Sequence, residues 1–410
     1  MSRPENLFYS SGLTHIRAHR SLRVEVVFGT LALVAGLGMQ DLLSQPAPLP
    51  IKLLTQPSLT LPVAAALPNS PATNLPPAQL VTNLVTMGVA RGPLTPEQAT
   101  VWKQTVKILV AKGPAAVPAI SEFLGRKQDI CYDAPGAEGL LGVTSLRQAL
   151  FGALEEIGGG EAIATAQKTL QATADPAELV ALIKFLNRAE PGKHRAEFAR
   201  AAKETLALAA AGNWDGRDVA PLFEMMQTFG GPAELADLEP YANVWFNYTP
   251  ITLAHWPDGA GVPLLIKLAQ NANGALTIGQ ESCQRMLAET AVNYPAAATA
   301  LEELTRGDKI ATLTWPAIGR ALGGQTLHLA KSYFSPPPPV VSQPDTRSYH
   351  LAYGNQNFLE ATLPAAAPAK AVGDRVRLVD RLLNATTNPP ASDALQVARV
   401  GLSARLPKAN

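Results

Sequence analysis

Apolar residues near the start of the central region recur at the spacing of an α-helix. The first run is Val101, Val106, Ile108, Leu109 and Val110, and the second is Val117, Ile120, Phe123 and Leu124. Gly113-Pro114 separates the two runs, and both residue types interrupt helices. The pattern therefore predicts one helix, a turn and a second helix.

The same glycine- or proline-containing interruption returns at intervals of roughly 28 to 46 residues, which suit two-helix repeats. It occurs at Gly158-Gly159-Gly160, Pro191-Gly192, Gly230-Gly231-Pro232, Gly259 to Gly261, Tyr294-Pro295 and Gly323-Gly324. Ser145 and Asp175-Pro176 are typical of helix starts. Because strand patterns are nearly absent from residues 81–333, we predict an all-α body of antiparallel helix pairs there.

Two of these turns are followed by similar helices. Residues 112–120 read Lys-Gly-Pro-Ala-Ala-Val-Pro-Ala-Ile, and residues 258–266 read Asp-Gly-Ala-Gly-Val-Pro-Leu-Leu-Ile. A glycine-containing turn before an Ala-Val-Pro-like helix start is common in HEAT repeats, which the body resembles over roughly 240 residues. The resemblance implies an α-solenoid, in which each helix pair buries apolar residues against its neighbours.

The N-terminal segment, residues 1–43, places a basic flank before an apolar stretch. Arg17, Arg20 and Arg23 precede the candidate membrane segment 24–43, an order typical of an anchor or a signal peptide. Because positive residues stay in the cytoplasm, a single-pass anchor places the body on the extracytoplasmic side, which is the periplasm in a Gram-negative bacterium. A secreted protein after signal cleavage and a cytosolic amphipathic N-terminus are the alternatives.

Proline-rich stretches border the predicted body. Residues 44–80 hold nine prolines and one charged residue, Lys52, and residues 334–373 include Pro336-Pro337-Pro338-Pro339. Such sequences favour extended or disordered chain and cannot build a core. We therefore predict two linkers, at 44–80 and 334–373.

Beyond the second linker, residues 374–410 form a short helical tail in our prediction. One helix is expected at 374–383, with its apolar residues near one face, and another at 392–406 with Ser392 as its N-cap. We expect the tail to dock on the body or to form a solvated end.

Composition argues against several kinds of partner. Lys and Arg total 34 against 33 for Asp and Glu, so the chain lacks the positive excess that attracts nucleic acids. The histidines stand apart from other ligands at metal spacing, and no P-loop, G-x-G-x-x-G or G-x-S-x-G sequence occurs. We expect no metal, no cofactor and no nucleic acid.

An aromatic and polar patch within fourteen residues is the densest candidate surface. It consists of Trp245, Phe246, Tyr248, His255, Trp256 and Asp258. Trp and Tyr offer large contact areas with a polar group, which suits recognition of a partner. The alternative interpretation is an irregular segment whose aromatic residues fill the core, and a His255–Asp258 acid–base pair is a weaker hypothesis.

The segment from Gly125 to Thr144 is the second candidate, because it is longer than a turn between helices requires. It carries Asp129, Tyr132 and Asp133. Long loops are functional or disordered, and disorder is the simpler expectation here.

The two cysteines, Cys131 and Cys283, are expected to be separate thiols. They are about four repeats apart, which along a regular stack exceeds the Cα separation of about 7 Å that a disulfide allows.

These features favour a non-catalytic scaffold, tethered to the membrane of the cell envelope, that binds a protein or peptide. One alternative is an enzyme on a closed α/α toroid acting on a carbohydrate-like substrate. Another is a soluble cytosolic repeat adaptor.

Overall fold

Helices form most of the structure. The computed structural model describes residues 74–88, 94–126, 128–132, 137–212, 217–246, 248–270, 276–324, 326–330, 333–334, 348–351, 358–361, 363 and 366–407. All of these residues belong to the compact unit Thr55–Asn410. The predicted basic flank and membrane segment lie outside the described residues.

The first nine helices are α1 (Pro77–Gly88), α2 (Pro96–Ala111), α3 (Val117–Gly125), α4 (Ala137–Leu141), α5 (Leu146–Ile157), α6 (Gly159–Leu170), α7 (Pro176–Ala189), α8 (Arg195–Ala210) and α9 (Ala220–Phe229). The next six are α10 (Pro232–Ala236), α11 (Thr249–Ala254), α12 (Val262–Gln270), α13 (Ile278–Thr290), α14 (Pro295–Arg306) and α15 (Trp315–Leu322). The C-terminal pair is α16 (Ala369–Ala385) and α17 (Pro389–Ser403). The prediction of a helical body is confirmed.

The helices pack in an ordered series. α2, α5, α7, α9, α11, α13, α15 and α17 each pack against the next member of that series. Beside them, α1 packs on α3 and α3 on α6, and further along α12 packs on α14 and α14 on α16. Helices close in sequence also pair, as in α8 with α9 and α12 with α13. A continuous apolar core extends from Leu80 in α1 to Leu402 in α17.

The predicted starts and turns of helices are present where the local sequence specifies them. The Ser145 hydroxyl accepts a hydrogen bond from Gln148 N at 3.2 Å, and Asp175 Oδ1 accepts one from Ala177 N at 2.8 Å. Gly158 turns the chain between α5 and α6 with φ of 66°, a conformation that glycine adopts without strain. Ser145 and Asp175 each accept a hydrogen bond from a free backbone N–H at a helix start, and Gly158 ends α5. Residues close by in the sequence therefore determine all three positions.

Three short strands were not predicted. They are β1 (Thr326–Ala330), β2 (Ser348–Leu351) and β3 (Phe358–Ala361). Their sheet has the order β2-β1-β3, with β1 parallel to β2 and antiparallel to β3. The all-α prediction lacked them because β2 and β3 lie in a stretch that we interpreted as a proline-rich linker.

The tail helices dock on the body, as α16 packs on α14 and α17 on α15. Arg375 of α16 is buried, and its Nη1 donates to the carbonyl oxygens of Ala321 and Leu322 at 3.0 and 3.1 Å. Burial lowers the pKa of Arg375 to about 10. The guanidinium thus satisfies the last carbonyls of α15 while joining α15 to α16.

The predicted N-cap of the last helix was wrong. α17 begins at Pro389, one turn before Ser392, and its N-cap is Asn388, whose Oδ1 accepts a hydrogen bond from Ala391 N at 3.3 Å. Proline is favoured in the first helical turn, so Asn388-Pro389 is the stronger start signal.

The longest helix in the part of the chain that the structure describes, α16, has 17 residues. No single helix there is long and apolar enough to cross a membrane, while one pair bent by 116°, Pro96–Ala111 with Gly113–Gly125, reaches that length and composition.

Candidate functional site

Helix α9 carries a carboxylate in the interior of the protein. Glu224 is 6% exposed, and its neighbours Leu222, Phe223, Met225 and Met226 are fully buried. A buried carboxylate costs free energy unless donors surround it. The groups that donate hydrogen bonds to Glu224 therefore indicate which segment this part of the fold binds.

Glu224 binds the backbone of a distant segment. One carboxylate oxygen accepts a hydrogen bond from Tyr333 N at 2.6 Å, and the other accepts one from Phe334 N at 3.2 Å. Hydrogen bonds to an ionised acceptor are among the stronger ones in proteins. This two-point contact holds two consecutive amides of the segment against α9.

The two side chains of the same segment contact opposite ends of α9. The Tyr333 hydroxyl donates to Asp218 Oδ2 at 2.9 Å, just before the helix. The Phe334 ring meets the Phe229 ring edge to face, with centroids 5.3 Å apart, at the last residue of the helix. We call Asp218, Glu224 and Phe229 the α9 site.

Local structure positions the components of the α9 site. Asp218 Oδ1 accepts a hydrogen bond from Ala220 N at 2.9 Å, which fixes its carboxylate at the start of α9. The Phe229 ring packs on Phe198 of α8, with centroids 5.0 Å apart. Burial, followed by its hydrogen bond to Asp218, raises the pKa of Tyr333. The tyrosine therefore remains a hydrogen-bond donor at neutral pH.

Part of the predicted aromatic surface adjoins the α9 site. Tyr248 stacks on Phe223 of α9 with ring centroids 5.4 Å apart, and Trp245 meets the same ring edge to face at 5.7 Å. Burial, followed by the negative charge of Asp218, raises the pKa of Tyr248. Phe246 is half-buried beside them.

The remaining residues of that predicted surface have separate places. Trp256 is 5% exposed and belongs to the core, as the core-filling interpretation expected. His255 is exposed, and its Nδ1 lies 2.9 Å from the carbonyl oxygen of Ile251. Asp258 is exposed with φ of 56°, a left-handed conformation that Asp tolerates better than most residues. The left-handed turn therefore explains why an aspartate occupies position 258.

The second predicted candidate, Gly125 to Thr144, is anchored where the structure describes it. Asp129 Oδ1 accepts hydrogen bonds from Ile130 N at 2.7 Å and Arg147 N at 3.0 Å. Tyr132 is buried, and its hydroxyl accepts a hydrogen bond from Trp102 Nε1 at 3.0 Å. Disorder was therefore the wrong expectation for these residues, because side chains tie them to α2 and α5. Asp133 lies outside the described residues.

The two cysteines are separate, as predicted. Cys131 is exposed and pairs through its backbone with Ser145. Cys283 is buried in α13, and burial raises the pKa of its thiol to about 12. In the described part of the chain, no three His, Cys, Asp or Glu side chains converge as metal ligands.

Sequence reasoning missed the residues that make the α9 site. One signal was available, because Glu224 interrupts an apolar run from Ala220 to Met226, and a single acid in such a run requires a partner. The partner lies 109 residues away. Helical periodicity carries no information about a contact at that separation.

Comparison with known proteins gives no match. No protein-family model matches the chain, and no curated protein or solved structure matches it either.

Proposed function

We propose that the protein is a HEAT-like α-solenoid that binds a short segment of a partner protein and is tethered to the membrane of the cell envelope. The order of helix contacts supports the solenoid, since each helix of the α2-to-α17 series packs on the next. Stacked helix pairs offer long surfaces for extended partners. The tether rests on the sequence of residues 24–43.

The observation that carries the proposal is the two-point contact of Glu224 with Tyr333 N and Phe334 N. Any peptide without proline at these two positions offers two consecutive backbone amides, so this contact is suited to a peptide rather than to a sugar. A closed toroid needs its first and last pairs to meet. Among the described helices, α1 to α3 make no extensive packing with α15 to α17.

A site-specific photo-crosslinker tests this function in cells that produce the full chain. Val244 is 57% exposed and precedes Trp245, whereas Leu313 is 90% exposed and lies before α15, which makes it a matched control. We expect a crosslinker at Val244 to capture a protein in the membrane fraction and one at Leu313 to capture none. Identical capture at both positions contradicts the proposal. Recovery of the chain in the cytosolic fraction contradicts the tether.

A further inference from the structure

The segment at Tyr333 and Phe334 occupies the α9 site in the manner of a bound peptide. Two consecutive amides donate to the Glu224 carboxylate, the first side chain donates to Asp218, and the second packs on Phe229. Each backbone and side-chain contact involves the same two residues. Together they specify a short sequence rather than a general apolar surface.

We propose that the α9 site is a recognition site for short, bent Tyr-Phe segments and that the chain's own Tyr333-Phe334 occupies it until a partner segment of the same chemistry displaces it. The inference deepens the proposed function by naming the ligand class, and it rests on that function for its biological partner.

The chemistry of the site defines what the partner must offer. Both residues need a backbone N–H, so proline is excluded at either position. The first ring needs a hydroxyl that reaches Asp218 Oδ2, and the second ring lies against Phe229. Because Glu224 and Asp218 are both acidic, a phosphorylated tyrosine or an acidic neighbour is disfavoured by like-charge repulsion.

An intramolecular occupant competes strongly with a free one. A segment on the same chain has an effective concentration of roughly 1 mM. If the chain's own segment has an intrinsic Kd of about 10 μM, a competing peptide binds the occupied protein about 100-fold more weakly than the emptied protein. Occupation by the chain's own segment thus keeps weak, non-matching peptides out.

The test measures the fluorescence anisotropy of a labelled peptide with the sequence of residues 328–340 against the full-length chain. The double substitution Tyr333→Pro/Phe334→Pro removes both backbone N–H donors and both side chains, and so empties the site. We expect the emptied variant to bind this peptide, the wild type to bind it at least about tenfold more weakly, and a peptide with alanine in place of its Tyr and Phe to bind neither protein.

Two further variants assign the binding to the α9 site. In the emptied protein, adding Glu224→Gln replaces one of the two accepting oxygens with an NH2 group that can only donate, so we expect at least about a tenfold loss of affinity. Adding Glu161→Gln, at an exposed position on α6, is the matched control and leaves affinity unchanged. A peptide with Phe in place of its Tyr lacks the hydroxyl and is expected to bind a few-fold more weakly, which tests the site without altering the protein.

The outcomes separate this inference from the proposed function. A folded emptied variant that does not bind the peptide, or that binds it no better than the wild type, overturns the inference even if Val244 captures a partner. If the emptied variant binds the peptide but Val244 captures no partner, the α9 site is supported as a peptide-binding site and the proposed scaffold function is contradicted. A wild-type dimer that the double substitution converts to a monomer shows that a second copy supplies the segment, which contradicts occupation by the same chain.

Discussion

Buried charges in this protein are held by several contacts at once. The Arg147 guanidinium pairs with both carboxylate oxygens of Glu178, the second at 3.0 Å, and also donates to the carbonyl of Leu124 at 2.8 Å. Thr173 Oγ1 donates to the same Glu178 carboxylate at 2.6 Å. Glu224 follows the same rule with the amides of Tyr333 and Phe334. Each of these contacts offsets part of the cost of removing the charge from water.

Removing one partner of a buried pair has a large expected cost. Arg147→Met leaves the Glu178 side chain, 12% exposed, without its guanidinium, and we expect a loss of about 3–5 kcal/mol in the free energy of unfolding. Arg147→Met combined with Glu178→Leu should lose less, because no unpaired buried charge remains. Chemical denaturation followed by circular dichroism measures both.

Arg188→Met is the matched control for this pair. Arg188 bonds Glu155 on the surface, with its side chain 73% exposed, and such pairs contribute less than about 1 kcal/mol. Equal losses at Arg147 and Arg188 would show that burial does not decide the strength of these ion pairs.

The starts of several helices could be predicted from the sequence, because residues next to each start determine it. Ser145 and Asp175 cap helices through residues two or three positions away, so a short window of sequence contains the whole signal. The contact of Tyr333 with α9 joins residues more than a hundred positions apart. The periodicity of apolar residues carries no information about such a contact. The strands were missed for a related reason, since β1 gains its partners only through long connections.

Close helix crossings are a second feature that periodicity does not reveal. A Cβ atom on Gly319 of α15 would lie 2.6 Å from the carbonyl oxygen of Ala394 in α17, whereas one on Gly152 of α5 would meet no atom within 4 Å. The first glycine therefore permits the approach of two helices. The second only lowers helix propensity.

The two glycines should respond to alanine in opposite directions. Gly319→Ala is expected to destabilise the protein by about 1–3 kcal/mol through overpacking. Gly152→Ala is expected to stabilise it by about 0.5–1 kcal/mol, because alanine loses less backbone entropy in a helix. Thermal melting monitored by circular dichroism gives both directions. A shift of the same sign for both would refute the close crossing of α15 and α17.

The described part of the chain from residue 74 onward combines a body of packed helices with one of its own segments held against α9. The helices share a continuous apolar core, and the tail helices α16 and α17 pack on α14 and α15, where Arg375 of α16 donates to the last carbonyls of α15. Within this body the α9 site holds one short, bent segment of the chain itself. The contact with Tyr333-Phe334 is the basis of the proposed recognition site.

Amide hydrogen exchange at Tyr333 and Phe334 measures the contact of these two residues with Glu224. In the full-length wild type we predict that both amides exchange at least about tenfold more slowly than in the Glu224→Gln variant, since opening of the contact limits exchange. Saturating Tyr-Phe peptide should accelerate their exchange by displacing the segment. Exchange at the rate of an unprotected chain in the wild type, or equal rates in the wild type and the Glu224→Gln variant, would contradict the account.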